Sequence, residues 1–418
     1  MKLTDKIFYV ENEQLFYDWK KIEKLPEFAV LKKCEQNPKW HAEGDAWKHT
    51  VKVCEAMEKR LKFLRYTYKK KPFETKLLMT AALFHDVGKG VTTMFKKGNW
   101  HAYGHEIEGE KIARKLLWDE GYEFREQVCS LVRWHMEPLR VFEGKESIEK
   151  ILKLSKNVNI HNVCLLKMCD LDGSYQADEA SKNEDYVKVN ELEAIASHLN
   201  CSRKPTCVPT DGKWLWKDTN DNRKQINIYM MIGLPGAGKD TLIRGGIIND
   251  SEVESLWSPE IVESPTNCIF DYFSKPLKTT KQDDCVMLSR DDLRVELGFC
   301  RINEKIVGTK YQEDKVTKVF NDRMLKAAEE GKDIIIDAIN LKREYRVRIL
   351  EQVSNYRVHV NYVYVEADGI QENIQRRNGQ IERNVFVSML ERFEFPTPDE
   401  YDDLFVFINN NEGWQTKK

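Results

Sequence analysis

Residues 226–241 read INIYMMIGLPGAGKDT, an apolar run that leads directly into a glycine-rich turn. The turn contains Gly233-x4-Gly238-Lys239 between a predicted strand and a predicted helix, which is the context of a phosphate-binding loop. Backbone N–H groups converge on phosphate oxygens in such a loop, and the lysine reaches the β- and γ-phosphates. The predicted nucleotide-binding residues are therefore Gly233, Gly236, Gly238, Lys239, Asp240 and Thr241.

The residue after the loop lysine departs from the usual pattern. A Ser or Thr normally follows this lysine and binds Mg²⁺ with its hydroxyl, whereas this chain has Asp240 there and Thr241 one place later. The sequence predicts ATP and Mg²⁺ as cofactors, but it leaves open which side chain binds the magnesium directly.

Short apolar runs alternate with amphipathic stretches after residue 225. Strands are predicted at 226–232, 284–289, 333–337 and 357–365, and helices at 239–247, 291–297, 312–330, 342–354 and 368–377. This alternation indicates a parallel sheet with helices on both faces. Residues 248–283 are longer and less patterned than such a domain requires, and they are interpreted as an insertion.

The apolar spacing before residue 200 is helical instead, with helices predicted at 46–65, 75–88, 104–119, 123–136, 159–172 and 185–199. Residues 200–225 contain two prolines and a polar run and predict a linker. Since 418 residues exceed the size of one hydrophobic core, we predict a multidomain protein. An all-α domain at 1–199 would precede an α/β domain at 226–418.

Composition narrows the class of protein further. A net charge of −2 argues against a general nucleic-acid coat, but it allows a local basic groove. The ten cysteines contain no CxxC pair, and the chain has neither a signal peptide nor a long apolar run. We therefore expect a soluble protein of the reducing cytoplasm, or of the host cytoplasm if a phage encodes it, without a membrane partner.

Eight of the nine histidines precede residue 200. Six ionisable residues lie on the apolar faces or at the ends of five predicted helices: His49, His85, Asp86, His105, His135 and Asp170. One such residue alone is more often a satisfied core histidine or a helix-end carboxylate. Five helices that each direct an imidazole or carboxylate inward indicate a metal site, because buried ionisable groups are costly unless paired or metal-bound. Imidazole and carboxylate together suit Mn, Ni, Co, Fe or Zn.

The order H…HD…H…H…D over about residues 38–175 resembles the HD phosphohydrolase superfamily, and residues 41–50 look like the entry to that fold. The resemblance implies two divalent transition metals, which polarise the phosphoryl oxygen and supply the attacking hydroxide. One metal would be bound by His49, His85, Asp86 and Asp170, and the second by His105, His135 and the bridging Asp86.

Three other basic residues lie near this constellation. Lys89, one turn after the dyad, would neutralise the phosphate, with a solvated helix end as the alternative. His41 and His101 are expected at the surface or behind the ligands.

Three further motifs accompany the phosphate loop: SRDDLR at 289–294, IIDAIN at 335–340 and an arginine cluster between 376 and 383. Over about residues 226–402 they resemble the 5′-hydroxyl polynucleotide kinases that phages use in RNA repair. Small-molecule kinases of the same fold share the loop and the arginine lid, so the resemblance is moderately specific.

The resemblance implies a role for each charged residue of these motifs. Asp291 would take the proton of the 5′-hydroxyl, and Arg294, one turn later, would bind the acceptor's phosphate bidentately. Asp337 and Asn340 would position magnesium or the acceptor. The lid candidates, which would stabilise charge on the transferring phosphoryl group, are Arg376, Arg377 and Arg383. A helix N-cap remains the alternative for Asp291, and a solvated face remains the alternative for the arginines.

An HD domain followed by a kinase resembles the bacterial and phage fusions that heal RNA breaks. The implied function is removal of a 2′,3′-cyclic phosphate, or a 2′- or 3′-phosphate, and phosphorylation of a 5′-hydroxyl with ATP. RNA or DNA ends would be the substrates, with a functional link to an RNA ligase. An HD nucleotidase or phosphodiesterase fused to a nucleoside-type kinase is the alternative, and complete ligand sets argue against a non-catalytic sensor.

Overall fold

The computed structural model describes residues 2–64, 69, 71–144, 147–175, 178–203, 225–243, 285–299, 309–367, 369–376, 382–410 and 413–417. The chain separates into two compact units, Met1–Val208 and Pro209–Lys418. Most of the predicted linker and the whole predicted insertion at 248–283 lie outside the described residues, so the predicted domain boundaries stay predictions.

The first unit is helical. Its helices are α1 Thr4–Ile7, α2 Trp19–Ile22, α3 Pro26–Ala29, α4 Ala46–Phe63, α5 Pro72–Phe84, α6 Lys89–Thr92, α7 His105–Leu116, α8 Tyr122–Trp134, α9 Glu137–Arg140, α10 Ser147–Asn157, α11 Ile160–Gly173 and α12 Glu179–His198, with 3₁₀ turns at Val30–Lys33 and Trp118–Glu120. Two antiparallel hairpins pair β1 Phe8–Glu11 with β2 Gln14–Tyr17, and β3 Met94–Lys96 with β4 Asn99–His101. The six predicted helices are present, with shifted ends, as α4, α5, α7, α8, α11 and α12.

Helix α5 forms the centre of this unit. Every residue from Leu77 to Phe84 is buried, and the helix packs against α4, α8 and α11. The predicted helix 75–88 is too long, because α5 ends at Phe84. Val87 N then donates to Phe84 O and Lys89 N donates to Asp86 O in successive turns. The His85-Asp86 dyad therefore lies in a turn at the end of a buried helix.

Side-chain caps fix where the two helices that flank α5 begin. The Asp45 carboxylate accepts from Lys48 N at 2.9 Å at the start of α4, and Asn159 Oδ1 accepts from Asn162 N at 3.0 Å at the start of α11. Each cap satisfies one of the N–H groups that have no partner within the helix. The caps set the register in which α4 and α11 present their histidine and carboxylate side chains.

The second unit contains a six-stranded sheet in the order β10-β9-β8-β5-β7-β6. Its strands are β5 Ile226–Ile232, β6 Cys285–Ser289, β7 Asp333–Asp337, β8 Val358–Ala367, β9 Asp403–Asn410 and β10 Gly413–Lys417. β5 to β9 are parallel, and β10 is an antiparallel edge strand. The described helices are α13 Lys239–Ile243, α14 Arg290–Glu296, α15 Lys310–Glu329, α16 Arg343–Glu351, α17 Ile370–Arg376 and α18 Arg383–Glu391.

The sheet order explains where the chemistry of this unit lies. β5 pairs with β8 on one side and with β7 on the other, so the glycine-rich turn after β5 opens between two strands. Parallel sheets bind ligands at their carboxyl edge, where the strand order reverses. The glycine-rich turn, α14 and Asp337 all follow or end strands at this edge.

The predicted fold class is confirmed: a helical domain precedes an α/β domain with a parallel sheet. β9, β10 and α18 lie beyond the elements that the sequence pattern predicts. Among the helices in the described ranges, none combines the length and the apolar character that crossing a bilayer requires.

Candidate metal centre and phosphate-binding loop

The structure brings the six predicted ligands of the first unit together. α4 carries the first histidine, the turn after α5 the dyad, the start of α7 and the turn after α8 one histidine each, and α11 the last carboxylate. All six are buried: His49, His85, Asp86, His105, His135 and Asp170. Their ligand atoms form the overlapping groups His49–His85–Asp86 and Asp86–His105–His135, each with its atoms within 4.8 Å of one another.

Asp170 and the dyad face His49 in the first half of the cluster. His49 Nε2 lies 2.9 Å from Asp170 Oδ1 and 3.3 Å from His85 Nε2. Asp86 Oδ2 lies 3.3 Å from His85 Nε2 and 3.5 Å from His49 Nε2. Two imidazole nitrogens and two carboxylate oxygens thus surround one point.

Asp86 also faces the second half of the cluster. Its Oδ1 lies 3.3 Å from His105 Nε2 and 3.9 Å from His135 Nε2, and these two nitrogens are 3.3 Å apart. Each oxygen of the Asp86 carboxylate therefore serves one half, which is the arrangement that a bridging carboxylate between two cations requires.

Backbone carbonyls orient three of the imidazoles. The Nδ1 atoms of His85, His105 and His135 each lie 2.8 Å from a carbonyl oxygen three residues earlier in the chain. A carbonyl only accepts, so each Nδ1 carries the proton and donates, which leaves the Nε2 lone pair directed into the cluster. This is how metal-binding histidines are held in one tautomer.

The two carboxylates are kept ionised by buried lysines. Burial alone would raise the pKa of Asp86, but Lys89, whose Nζ is 2.6 Å away, helps hold that pKa well below its usual range. Lys167, whose Nζ lies 2.7 Å from Asp170 Oδ2, likewise helps hold the pKa of Asp170 well below its usual range. Lys89 is buried and also donates to Gln36 Oε1 at 2.7 Å, so it is not a solvated helix end.

The pKa values of the histidines in the cluster are shifted in two directions. Burial lowers the pKa of His105, and burial together with the neighbouring histidines lowers the pKa of His135 well below its usual value, which favours the neutral form of both rings. Burial acts the same way on His49, but Asp170 and Glu43 outweigh it and raise its pKa to about 9. A proton on His49 occupies the place that a cation between it and Asp170 would take, since metal binding displaces such protons.

Glu43 is a part of the site that the sequence pattern did not predict. Its Oε1 lies 2.8 Å from His49 Nδ1 and 2.9 Å from His41 Nδ1, and its Oε2 accepts from Tyr175 N at 2.9 Å. His41 therefore lies behind the ligands, as predicted. Glu43 belongs to the loop before α4 and follows no helical spacing, so only the fold reveals it. His101 lies on the exposed β3–β4 hairpin.

The glycine-rich turn of the second unit is shaped by close backbone approach. Gly236 has φ +77°, and a Cβ there would lie 2.5 Å from Asn373 O; a Cβ on Gly233 would lie 2.2 Å from another carbonyl oxygen. Lys239 is buried, and its Nζ donates to Gly233 O at 2.9 Å and Leu234 O at 3.2 Å. The lysine thus rests on the carbonyls of the loop.

Three carboxylates meet at the carboxyl edge of the sheet. Burial, together with Asp240, raises the pKa of Asp337 to about 6, Lys239 opposes the shift, and Asp291 adds to it. Asp240 therefore lies close enough to Asp337 to raise its pKa. Asp240, in the position where a hydroxyl residue is usual, therefore adds a second carboxylate beside Asp337.

Asp291 and Arg294 contact each other on α14. Arg294 Nη1 donates to Asp291 Oδ1 at 2.5 Å, and its Nε and Nη2 form a two-pronged pair with Glu313 at 2.7 and 2.8 Å. The Asp291 side chain is 70% exposed. Ser289 is the N-cap of α14, since its Oγ accepts from Asp292 N, so Asp291 is not the cap. Glu313 was not predicted.

The remaining predicted residues are less directly placed. Asn340 is buried and its Nδ2 donates to Met231 O at 2.7 Å, which ties its amide to the end of β5. Arg376, on α17, contacts Glu372 and donates to Asn409 Oδ1 at 3.1 Å. Arg383 is exposed at the start of α18, and Arg377 lies outside the described residues.

Two family models match separate parts of the chain: one described as HD domain matches residues 47–170, and one described as AAA domain matches residues 276–396. The first range contains all six clustered residues, and the second contains Asp291, Arg294 and Asp337. One part of this chain is therefore similar to HD domains, and a second part is similar to AAA domains.

Curated relatives match a smaller part. The CC-adding tRNA nucleotidyltransferase of Thermus thermophilus is 36% identical over 119 residues, which is 28% of this chain and 25% of that protein. Multifunctional CCA proteins from two serotypes of Actinobacillus pleuropneumoniae are 37% identical over 118 residues, which is 27% of this chain and 26% of each. The chain thus spans about a quarter of the length of the relatives it matches.

Proposed function

We propose that this chain repairs both ends of a broken RNA strand. The HD domain removes a 2′,3′-cyclic phosphate, or a 2′- or 3′-phosphate, and the kinase-like domain transfers the γ-phosphate of ATP to the 5′-hydroxyl. The observation that carries the proposal is the presence in one chain of a buried His/Asp cluster shared through Asp86 and a phosphate loop beside the Asp291–Arg294 pair. The products would be ends that an RNA ligase can join in the cytoplasm.

The donor set of the cluster fits two divalent transition metals. His49, His85 and Asp170 would hold one, His105 and His135 the other, with Asp86 shared. When bound, such metals polarise a phosphoryl oxygen and lower the pKa of a bound water. The Nδ1–H groups that donate to carbonyls fix the imidazoles of three ligands, and the ionised carboxylates supply negative charge without first losing a proton.

Lys89 has a separate task in this proposal. Its ammonium contacts Asp86 and Gln36, and a lysine has three N–H donors. No third acceptor among the described residues contacts it, so one donor can meet a phosphate oxygen that enters the cluster. Contact with Asp86 keeps this positive charge close to the phosphate.

In the kinase-like domain, Asp291 would accept the proton of the 5′-hydroxyl. Arg294 holds the Asp291 carboxylate and offers its guanidinium to the adjoining phosphate. Asp240 and Asp337 would bind Mg²⁺, and Lys239 would leave the loop carbonyls to contact the β- and γ-phosphates. Arg376, Arg377 and Arg383 are the proposed lid residues.

RNA is favoured over small molecules by the relatives of the HD part. One relative, the CC-adding tRNA nucleotidyltransferase, acts on tRNA by its name, and a phosphate bound by Arg294 would belong to an acceptor longer than a nucleoside. A nucleotidase fused to a small-molecule kinase is the outcome that would replace this proposal.

The test is one incubation of the full chain with ATP, a series of divalent metals and 5′-hydroxyl RNA that ends in a cyclic or 2′-phosphate. We expect phosphate release at one end, which depends on a transition metal, and phosphate gain at the other, which depends on Mg²⁺. If mononucleotides and nucleosides react while neither RNA end changes, the proposal is wrong.

A further inference from the structure

The segment that joins Lys89 to His105 forms a small hairpin, made of β3 and β4, beside the metal centre. At its start Lys89 Nζ contacts Asp86, and at its end His105 Nδ1 donates to Ala102 O. We call residues 94–103 the aromatic hairpin. The segment from Lys89 to His105, which contains this hairpin, is tied to the centre at both of its ends.

The hairpin exposes aromatic rings to solvent. Phe95 is 61% exposed and lies 5.1 Å from Trp100, which is opposite it in the strand register. Tyr103 is 68% exposed, and its ring stacks on His101 at 5.0 Å and 13°. One face of the Tyr103 ring is thus covered by a parallel imidazole, and the other face is open for a further flat ring.

The charged residues of the hairpin itself are basic. Lys96 and Lys97 at the tip are exposed and form no ion pair with another described residue. The chain from residue 87 to residue 105 contains no Asp or Glu. Aromatic rings interleaved with unpaired cations are the features with which proteins hold single-stranded nucleic acids, because bases stack and phosphates are attracted.

We propose that the aromatic hairpin binds unpaired nucleobases next to the phosphate end that the metal centre hydrolyses, with Tyr103 stacking on a base. This inference rests on the proposed function of that centre. The Cα atom of Tyr103 is two peptide units from that of His105, at most about 7.6 Å, which is within reach of the last nucleotides. Stacking of this kind tolerates any base, as a repair enzyme requires.

The test compares two RNA hexamers that end in a 2′-phosphate, one with all its bases and one with abasic ribose at the last two positions. We expect the full chain to hydrolyse the base-bearing hexamer with a kcat/KM about 5- to 150-fold higher, which corresponds to the stacking of one base. Tyr103→Ala removes most of this preference by slowing the base-bearing hexamer only. Tyr103→Phe keeps the ring and the preference.

Tyr9→Ala is the matched control, because Tyr9 is 47% exposed and stacks on Phe16 at 5.5 Å in the other hairpin of the same unit. It should leave both rates unchanged, and bound metal is measured in every variant. Equal loss on both hexamers in Tyr103→Ala would show damage to the centre and overturn the inference. A wild type that hydrolyses both hexamers equally would also overturn it, while leaving the proposed function intact. If no RNA end is hydrolysed and mononucleotides are, the proposed function itself is wrong.

Discussion

In the proposed function the metal centre and the phosphate loop both act on phosphate groups, but they are built from different parts of the chain. The centre is made of buried side chains from five elements, and its charges are balanced before any ligand arrives. The loop is made of backbone, and its proposed base Asp291 is 70% exposed. A site built from side chains can be destroyed by removing one functional group. A site built from backbone groups depends instead on the conformation of the main chain.

Two glycines illustrate this difference. A Cβ on Gly88 would lie 2.0 Å from His105 O, so the missing side chain lets a ligand-bearing helix pack against the turn of the dyad. Gly236 instead has φ +77°, a conformation that side chains other than glycine rarely adopt. The first glycine serves packing between elements, and the second serves the shape of the loop itself.

The strongest test of the comparison is to remove one group from each site. Asp86→Ala takes away the carboxylate shared by both halves of the centre, so we expect loss of bound metal and of phosphate release with kinase activity retained. Lys239→Ala removes the charge that meets the β- and γ-phosphates, and it should have the opposite pattern. Metal content, phosphate release and 5′-phosphorylation are measured on both variants.

The two variants control for each other, since each should keep one activity. If a folded Asp86→Ala protein lost both activities equally, the two sites would not be separable. The difference in construction between the two sites would then have no counterpart in their activities.

Asp291→Ala tests whether the exposed carboxylate is the base of the transfer. General bases contribute about 10²- to 10⁴-fold, so kcat for 5′-phosphorylation should fall by that factor while ATP affinity stays unchanged. Asp292→Ala, at the next position, is the matched control and should be close to wild type. Loss of ATP affinity with kcat retained would contradict the assigned role.

Arg294→Ala tests whether the acceptor is an oligonucleotide. Loss of a charge-assisted phosphate contact costs about 2–5 kcal/mol of transition-state binding, which lowers kcat/KM on 5′-hydroxyl oligonucleotides by about 30- to 5,000-fold. A nucleoside lacks the phosphate, so it should be a poor acceptor and should respond little. Glu313→Gln leaves the guanidinium in place but weakens its support, and a smaller loss is expected. Better turnover of nucleosides would favour the small-molecule kinase.

Most of the fold could be predicted from the sequence, because the helical apolar spacing of the first unit and the short apolar runs of the second unit are both clear. Buried α5 and the parallel strands β5, β7 and β8 are apolar runs, and each corresponds to a predicted element. The end of α5 was missed, because the helix stops at Phe84 whereas the first glycine or proline after it is Gly88. β9 was missed since its pairing with β8 is a long-range contact that no local pattern records, and β10, which pairs with β9, was missed with it.

The candidate sites were predictable where residue type and spacing carried the signal. The six clustered residues and the glycine turn belong to motifs, so the sequence named them before the fold placed them. Glu43, Lys167 and Glu313 support those residues from other elements. From sequence, a charged residue in a loop or on a helix face is most simply interpreted as solvent-exposed. Only its burial beside a ligand residue in the structure shows that it supports the site.

Glu43→Gln is expected to have the smallest effect of these variants, and it tests whether Glu43 supports a ligand or is itself one. Glu43 contacts His49 Nδ1 and His41 Nδ1 and is itself held by Tyr175 N. A carboxylate behind a metal-binding histidine fixes its ring and raises its basicity, and its loss typically costs about 10- to 100-fold in metal affinity or activity. Metal titration and phosphate release should therefore weaken by that factor, with 5′-phosphorylation unchanged.

The severity of that loss separates two roles for Glu43. Glu149→Gln, which changes an exposed glutamate paired with Lys153 on α10, should have no effect and serves as the control. His41, Glu43 and His49 also lie close enough to hold an ion themselves. If Glu43→Gln removed one equivalent of bound metal and abolished hydrolysis as fully as Asp86→Ala, Glu43 would be a ligand. The coordination sphere would then include a residue that we assign to the support of the ligands. The metal centre would depend on side chains even more strongly, in contrast to the backbone of the phosphate loop.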